Sequence, residues 1–319
     1  MIHHFLINPA AGRGDRTDAM IRRITGACSA RKLDFRIYTT ARPGDATDYV
    51  RRTVTEFPDT PHRFYACGGD GTLCETVNGA PTAANAEFTV IPIGTGNDFV
   101  RNFTNSENFL DIERHIDGEA VKIDLLLCNG RSCINMINIG FDCNAAKRTG
   151  EIKRSPLVPS GCAYAFGVVI TLCGHIGTPM HIELGNGEVI REELLLSTIA
   201  NGGFCGGGFH SNPRASLTDG LFDICAVRKI SRAKFIGMIK YYKAGRHLET
   251  EKIAPYLRYY QTDSARFRFE KPINICVDGE IEMSDTVDIH ILPAALSFSV
   301  PKDSAPVSAE MPTAATETV

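Results

Sequence analysis

The sequence contains eleven cysteines but no Cys-x-x-Cys pair. A zinc ribbon or a dithiol redox site would need such pairs, so neither is indicated. The cysteine number is odd, and the chain of 319 residues starts Met-Ile-His-His without a charged-then-apolar leader. These features are unlike those of a small, disulfide-linked secreted domain. We therefore expect reduced, mostly buried thiols in a cytoplasmic protein.

Long hydrophobic runs and an excess of basic charge are also missing. The longest apolar stretch, residues 162–173, is shorter than the roughly 20 residues with which a helix crosses a bilayer. The formal net charge of −3 argues against a general affinity for nucleic acid. Glycine and proline are not abundant, at 29 and 16 residues, and 43% of the chain is hydrophobic. We expect a folded globular protein of about two domains without internal repeats.

Strands and helices alternate over the first 125 residues. Short β-branched or aromatic runs predict strands at residues 4–7, 35–39, 63–67 and 88–93. Helical periodicity predicts helices at residues 15–30, 46–57, 73–78 and 98–103. This alternation predicts an α/β domain with a parallel sheet covered by helices on both faces, and ligands bind such sheets at the carboxyl ends of the strands.

The second half of the chain changes to strands joined by turn-rich segments. These strands are predicted at residues 121–128, 133–139, 181–184, 193–199, 221–227, 266–269, 273–277 and 287–292, with helices at 163–172 and 233–243. The pattern predicts an antiparallel β-sandwich. The predicted domains are then an α/β domain at residues 1–125 and a β-sandwich domain at residues 126–300. Residues 301–319, rich in Ser, Thr, Ala, Pro and Glu, are predicted to be disordered.

Three glycine-bearing loops follow predicted strands of the first domain, at residues 8–14, 68–72 and 94–98. Glycine has no Cβ to keep backbone amides away from phosphate oxygens, and each loop leads into a helix whose N-terminal dipole favours an anion. Each loop alone could be an ordinary turn. Together, at three strand ends, they predict a polyphosphate cradle for a nucleotide.

Two acids lie within these loops. Asp70 and Asp98 would repel phosphate oxygens unless a cation stood between them, and Mg²⁺ prefers carboxylate, water and phosphate oxygens. Asp124, at the end of the first domain, is a candidate third carboxylate. The alternative is that Asp98 caps the following helix and that Asp124 lies in a solvated turn.

Several of these motifs together resemble the catalytic domain of the soluble bacterial diacylglycerol kinase family, which eukaryotic diacylglycerol, sphingosine and ceramide kinases share. The resemblance rests on Asn8-Pro9, on residues 68–72 with Glu75 and Asn78-Gly79, and on residues 92–99. It continues through residues 219–223 and 277–280, and so covers the chain to about residue 300. A lone Gly-Gly-Asp-Gly-Thr also resembles NAD kinases and phosphofructokinases, but the block ending in Asn97-Asp98-Phe99 favours the lipid kinases.

The resemblance implies a set of site residues. ATP-binding positions are implied at Asn8, Thr40, Gly68, Gly69, Asp70, Gly71, Thr72, Thr95 and Asn97. Asp70, Asp98 and Asp124 are implied to organise water and Mg²⁺ between the domains, with Asp70 and Glu280 as the catalytic acids. A structural Mg²⁺ site is implied at the Asp219 side chain with the carbonyls of Ser216 and Leu221. Ala11 stands where a serine is usual, and Val100 where an alanine is usual.

Glu280 is implied to be the general base that takes the proton of a lipid hydroxyl. From the residues alone, Asp278-Gly279 predicts a hairpin turn, and Glu280 would be a solvated surface acid. The expected activity is ATP-dependent phosphorylation of a lipid, with diacylglycerol converted to phosphatidic acid. The alternatives are an NAD-kinase-like phosphotransferase and a nucleotide-binding regulator without turnover.

A basic segment suggests how the protein meets a lipid. Residues 224–248 hold seven Lys or Arg and no acid, with Phe235, Met238, Ile239 and Tyr242 at helical spacing. Such a helix can lie on an anionic leaflet, which would give peripheral membrane association. The alternative is a helix packed on the core with a solvated basic face. We expect no nucleic-acid partner, and a homodimer is left open.

Overall fold

The N-terminal part of the chain forms a parallel α/β unit, as predicted. The fold comes from a computed structural model that describes residues 1–12, 17–153, 170–172, 174 and 176–307. The strands are β1 (Ile2–Ile7), β2 (Phe35–Thr39), β3 (His62–Gly68) and β4 (Ala86–Pro92). They pair in parallel in the order β2-β1-β3-β4. The helices are α1 (Thr17–Ala30), α2 (Asp45–Glu56), α3 (Asp70–Asn78) and the short α4 (Ile112–Ile116).

Helices cover both faces of this parallel sheet. On one face, Leu6 and Phe64 lie in the same buried cluster as Val50 of α2. On the other face, Tyr65 clusters with Ile24 of α1. Every residue of β3 is buried, because a strand in the middle of such a sheet has no solvated side.

The second half is antiparallel, also as predicted. It contains β5 (Glu119–Cys128), β6 (Arg131–Cys133), β7 (Met136–Gly140), α5 (Phe141–Lys153), β8 (Thr178–Leu184), β9 (Val189–Ala200), β10 (Phe204–Cys205), β11 (Phe209–His210), β12 (Phe222–Arg228), α6 (Arg232–Lys243), β13 (Leu257–Thr262), β14 (Ser264–Val277) and β15 (Glu280–Val300). Antiparallel ladders join β7 to β9 and β14, β12 to β9 and β13, and β14 to β15.

The long strand β15 connects the two units. It pairs with β14 and β5, and near its end Phe298 pairs in parallel with Phe88 of β4. Leu296, Phe298 and Val300 are buried in the same cluster as Phe88. Within the described residues, one sheet of thirteen strands therefore runs through both units. The C-terminal end of the second unit completes the core of the first.

The segment that follows β15 differs from its prediction. The amide of Val307 donates to the carbonyl of Asn102 at 2.8 Å, and the amide of Thr104 donates to the carbonyl of Ala305 at 2.8 Å. Disorder is thus wrong for residues 301–307, because backbone bonds to residues 102–104 replace the missing apolar burial. Residues 308–319 lie outside the described part of the chain.

Other differences are local. Residues 98–103, predicted as a helix, form only a 3₁₀ turn at Phe99–Asn102. The predicted strand at 133–139 is divided into β6 and β7, whereas the strands predicted at 266–269 and 273–277 are one strand, β14. Of the predicted helix at 163–172, only 170–172 are described, and they are helical. No helix in the described ranges is both long and apolar enough to cross a membrane.

Candidate functional site

The three glycine-bearing loops meet at the carboxyl ends of β1, β3 and β4, as predicted. The Asn8 Nδ2 atom in the first loop donates to Thr72 Oγ1 at 3.0 Å. A Cβ on Gly94 would lie only 2.5 Å from Gly69 Cα, so the second and third loops touch through their backbones. Gly12, at φ +82°, approaches Ile93 in the same way. The described parts of the three loops therefore lie against one another at this edge of the sheet.

The other predicted nucleotide residues shape or border this surface. Thr40 follows β2, and its amide donates to the carbonyl of Ile7 at 2.9 Å, next to the first loop. Asn97 has φ 52°, and its Nδ2 donates to the carbonyls of Pro92 and Gly94, so it fixes the turn. Thr95 is exposed on the same turn. Gly68, Gly69, Asp70, Gly71 and Thr72 run from the end of β3 into the first turn of α3.

Asp70 and Asp98 are brought together. The Asp70 carboxylate accepts from the amides of Asp98 at 3.0 Å and Phe99 at 3.1 Å. The Asp98 carboxylate accepts from the amides of Gly207 at 2.8 Å and Gly208 at 2.7 Å. The Asp98 side chain therefore does not cap the turn that follows it, as the alternative supposed.

The partner of Asp98 is a loop that the sequence analysis overlooked. Gly206, Gly207 and Gly208 connect β10 to β11, and all have positive φ. A residue with a Cβ would be strained in this conformation, which orients two successive amides toward one carboxylate. The unbroken Gly-Gly-Gly run was the available signal. Through it, the second unit contacts the glycine-bearing loops of the first.

The electrostatics of the acid pair suit a cation. Burial, and to a smaller extent the charge of Asp70, raise the pKa of the Asp98 carboxyl, while the amides of Gly207 and Gly208 act against the shift. A divalent ion beside both carboxylates would remove this repulsion. Two carboxylates next to glycine loops are also the oxygen donors that Mg²⁺ prefers. The residues present fit the metal that the sequence predicts.

Asp124 is held by other backbone amides. It is 2% exposed, and its carboxylate accepts from the amides of Gly220 and Ala294, both at 2.7 Å. Asp124 is therefore not a solvated residue, and its membership of the Asp70 and Asp98 set stays a prediction. It lies beside the loop that holds Asp219.

The loop that holds Asp219 also holds Ser216 and Leu221, the two other residues of the predicted cation site. Burial, and to a smaller extent the charge of Asp124, raise the pKa of Asp219. The Asp219 carboxylate accepts from the Leu221 amide at 3.1 Å, and the Ser216 hydroxyl accepts from the Thr218 amide at 3.3 Å. No group of three or more His, Cys, Asp or Glu side chains suited to a metal occurs within the ranges described. A cation here would depend on backbone carbonyls, as the prediction states.

The predicted hairpin turn joins β14 to β15. Asp278 and Gly279 have φ 47° and 91°, the left-handed pair that a tight two-residue turn requires. The Asp278 carboxylate accepts from the amides of Ile134 at 2.7 Å, Asn135 at 3.0 Å and Met136 at 2.9 Å. These bonds occupy the gap between β6 and β7, and they explain why the predicted strand there is interrupted.

Glu280 follows this turn directly. Its Oε2 atom accepts from Arg131 Nη2 at 3.0 Å, and its side chain is 54% exposed. The residue is therefore an exposed acid, as its own sequence context predicts, but an acid held in an ion pair. The role of Arg131 had no signal in the sequence.

An apolar cavity of about 290 Å³ extends from the acid pair into the second unit. Its polar wall includes Asp70, Asp98, Asn135, Asn138, Asp142, Cys205, Cys276 and Asp278. Its apolar wall includes Leu73, Phe99, Met136, Phe141, Leu196, Phe209, Val227 and Met238. Glu280 is not part of the wall, although Gly279 next to it is.

Helix α6 forms one side of the cavity. Phe235, Met238, Ile239 and Tyr242 all line it, so these side chains point inward. The core-packed interpretation of the helix is therefore correct for them. Ile236, in contrast, is 57% exposed.

Comparisons with family models cover most of the chain. Residues 3–128 match the model described as the diacylglycerol kinase catalytic domain. Residues 135–300 match the model described as the YegS C-terminal NAD kinase beta sandwich-like domain. The first match ends with β5, and the second begins just before β7.

Individual proteins agree with these models. A "Diacylglycerol kinase" of Bacillus subtilis (strain 168) is 28% identical, over 76% of this chain and 78% of that protein. A "Probable lipid kinase YegS-like" of Pseudomonas fluorescens is 29% identical, over 90% of this chain and 93% of that protein. A crystal structure of a diacylglycerol kinase from Bacillus anthracis str. Sterne matches with a TM-score of 0.68 at 22% identity, over 93% of this chain and 95% of that one. This last likeness concerns the fold.

Proposed function

Because this chain belongs to the diacylglycerol kinase family of lipid kinases, we propose that it transfers the γ-phosphoryl group of ATP to the hydroxyl of a lipid. Diacylglycerol, which would become phosphatidic acid, is the first candidate acceptor. One observation carries the proposal: the acid pair Asp70 and Asp98 lies at the wall of an apolar cavity. A phosphate-facing surface and a compartment for acyl chains therefore adjoin.

The nucleotide would bind the surface formed by the three loops. The triphosphate meets backbone amides of residues 68–72 at the N-terminus of α3, bordered by Asn8, Thr40 and Thr95. Mg²⁺, held by Asp70 and Asp98, would neutralise phosphate charge when bound. The Asp98 contacts to Gly207 and Gly208 keep the second unit next to this surface.

Glu280 is the proposed general base. The lipid oxygen forms a bond to the γ-phosphorus, the bond from that phosphorus to the β–γ bridging oxygen breaks, and the hydroxyl proton passes to Glu280 as ADP leaves. Arg131 holds the Glu280 carboxylate at 3.0 Å, next to Gly279 of the cavity wall. A base in this position contributes about 10²–10⁴-fold to the rate.

Two substitutions test these roles separately. Glu280→Gln keeps the size of the side chain but removes the base, so we expect kcat to fall by about 10²–10⁴-fold while ATP affinity stays constant. Asp70→Asn should instead change the dependence of turnover on Mg²⁺, because it alters the acid pair. The assay is transfer of labelled phosphate from ATP to a lipid panel in mixed micelles. Near-normal kcat in Glu280→Gln, or loss of its ATP binding, would remove Glu280 from this role.

The alternatives fit the cavity less well. An NAD-kinase-like enzyme needs a polar site for its dinucleotide acceptor, whereas α5, α6 and β7 contribute mostly apolar side chains here. A regulator without turnover would have no need of Asp70 and Glu280, and both are present.

We propose further that α6 meets the membrane surface at which the acceptor lipid resides. Its outer face carries basic side chains around the exposed Ile236, and its inner face lines the cavity. Ile236→Asp should reduce cosedimentation with vesicles rich in phosphatidylglycerol, since it removes apolar area and adds a negative charge. Val189→Asp is the matched control, because Val189 on β9 is similarly exposed at 48%. Equal binding of both variants would show that α6 is not the contact.

A further inference from the structure

The apolar cavity contains a carboxyl group that the proposed chemistry does not use. Asp142, in the first turn of α5, lines the cavity together with Asn138 of β7. Among the described residues, no hydrogen bond or ion pair engages the Asp142 side chain. The Asn138 Oδ1 atom is buried and also has no hydrogen-bond partner. The Asp142 carboxyl thus lacks a partner from the protein on the wall of the cavity, whereas the Asn138 Oδ1 atom is not accessible from it.

Neighbouring groups locate the Asp142 carboxyl inside the cavity. Its charge contributes to raising the pKa values of Cys205 and Tyr242, and it opposes the lowering of the pKa of Cys276. All three residues line the same cavity. Cys205 is also affected by Asp98. Asp70, Asp98 and Asp142 line the same cavity, so a lipid bound in it can contact both Asp142 and the end at which phosphoryl transfer would occur.

The Asp142 carboxyl lies among mostly apolar walls. Burial raises the pKa of Asp142 to about 7. Leaving a buried polar group without a partner destabilises a protein by about 1–3 kcal/mol, so such groups are normally satisfied. Binding cavities commonly hold a few polar groups that orient the ligand among apolar walls. Water or a ligand that enters the cavity is therefore the source of partners for Asp142, and a ligand that fills the cavity displaces the water.

The partners needed are hydrogen-bond donors. An ionised carboxylate and an amide oxygen can only accept, whereas a protonated carboxyl can also donate. A hydroxyl donates and accepts, so it satisfies Asp142 in both protonation states. An ester oxygen only accepts. In diacylglycerol the one hydroxyl is the reacting group, and the remaining polar groups are esters.

We propose that Asp142 forms a headgroup subsite for a second free hydroxyl of the acceptor, so that glycerol lipids with one acyl chain are preferred over diacylglycerol. This inference rests on the proposed function and narrows its acceptor class. Asp142 is a specificity-determining residue here and takes no part in the transfer itself. Asp70, Asp98 and Glu280 keep the roles given above.

The test compares acceptors that differ in this hydroxyl. Purified full-length protein is assayed with Mg²⁺-ATP and, in mixed micelles, 1-oleoylglycerol, 1,2-dioleoylglycerol or the mono-oleate of ethylene glycol. The ethylene glycol ester has one chain and one hydroxyl, so it separates the effect of the hydroxyl from that of chain number. We expect kcat/KM for 1-oleoylglycerol to exceed that for both other lipids by about tenfold or more. Equal or lower values for 1-oleoylglycerol would overturn the inference.

Variants then connect the preference to the residue. Asp142→Leu should abolish the advantage of 1-oleoylglycerol over the ethylene glycol ester and retain turnover of the latter. Asp285→Leu, at an exposed position of β15, is the matched control and should keep the advantage. If Asp142→Leu does not fold, as judged by circular dichroism, Asp142→Ala is measured in its place and should lose the advantage. An unchanged ratio in the Asp142 variant refutes the subsite.

Binding separates this inference from the proposed function. Displacement of a fluorescent fatty-acyl probe reports the affinity of each lipid without turnover. If no lipid is phosphorylated but wild type still binds 1-oleoylglycerol more tightly than the ethylene glycol ester, and Asp142→Leu does not, the kinase proposal fails and the subsite stands. If lipids are phosphorylated but wild type binds 1-oleoylglycerol no more tightly than the ethylene glycol ester, the kinase proposal stands and the subsite fails.

Discussion

Asp278 should contribute more to stability than its place in a surface turn suggests. Its carboxylate accepts three backbone amides, from Ile134, Asn135 and Met136, at 2.7–3.0 Å. A hydrogen bond to a charged group contributes about 1.5–3 kcal/mol, but these three share one acceptor and are not additive. We therefore expect Asp278→Ala to lower the free energy of unfolding by about 4 kcal/mol. About 1 kcal/mol of this arises from forcing alanine to φ 47°.

Substitutions at this position separate the two contributions. Asp278→Gly removes the carboxylate but tolerates positive φ, so it should cost about 3 kcal/mol. Asp278→Asn keeps one acceptor oxygen and tolerates the same backbone, so it should cost about 1–2 kcal/mol. Urea unfolding followed by circular dichroism gives the values, and Asp285→Ala is the control, with a change within about 0.5 kcal/mol. A loss below about 1 kcal/mol in Asp278→Gly would show that the amides do not depend on the carboxylate.

Two further predictions concern metal and pH. Mg²⁺ should raise the Tm of wild type by binding at Asp219. Asp219→Ala should abolish this rise, whereas the control Asp285→Ala should retain it. A wild-type Tm that does not depend on Mg²⁺ would reject the site. Burial lowers the pKa of His3 and His115 to about 4 and that of His4 to about 3, so the folded protein keeps these rings neutral while the unfolded chain gains protons below about pH 6.5. The free energy of unfolding should thus be highest above pH 6.5 and fall by a few kcal/mol toward pH 4. A variant that lacks the exposed His290 is the control and should show the same fall. A free energy of unfolding that stays constant between pH 7 and 5 would contradict this reasoning.

The parallel unit was predictable because its signals are local. Apolar runs such as β3 are bounded by glycine loops, and residues 35–39 were predicted with the bounds that the structure has. The meeting of the three loops followed from the rule that parallel strands end at one edge of a sheet. Asp70 and Asp98 were found together for the same reason.

Contacts between distant segments were not predictable in this way. The division of residues 133–139 depends on Asp278, about 140 positions away in the sequence, and no period in the strand reveals it. The link from Asp98 to Gly207 and the ion pair of Glu280 with Arg131 are of the same kind. Helix α5 was missed because its positions 141–153 alternate small, polar and charged residues with few apolar ones. Asp142 was therefore not recognised as a residue of the cavity.

The path of β15 limits how the protein can be divided or move. The strand begins at Glu280 beside the cavity and ends at Val300 in the core of the N-terminal parallel unit. A fragment of residues 1–125 would lack Leu296 and Phe298, which fill that core, and would expose Phe88 and Phe99 in their place. The two units therefore do not correspond to two independent folding modules. Because the two units share β15, a free hinge motion between them would break the pairing of this strand. Any closure over bound substrates must therefore come from twisting of the common sheet and from movement of the Gly206–208 loop.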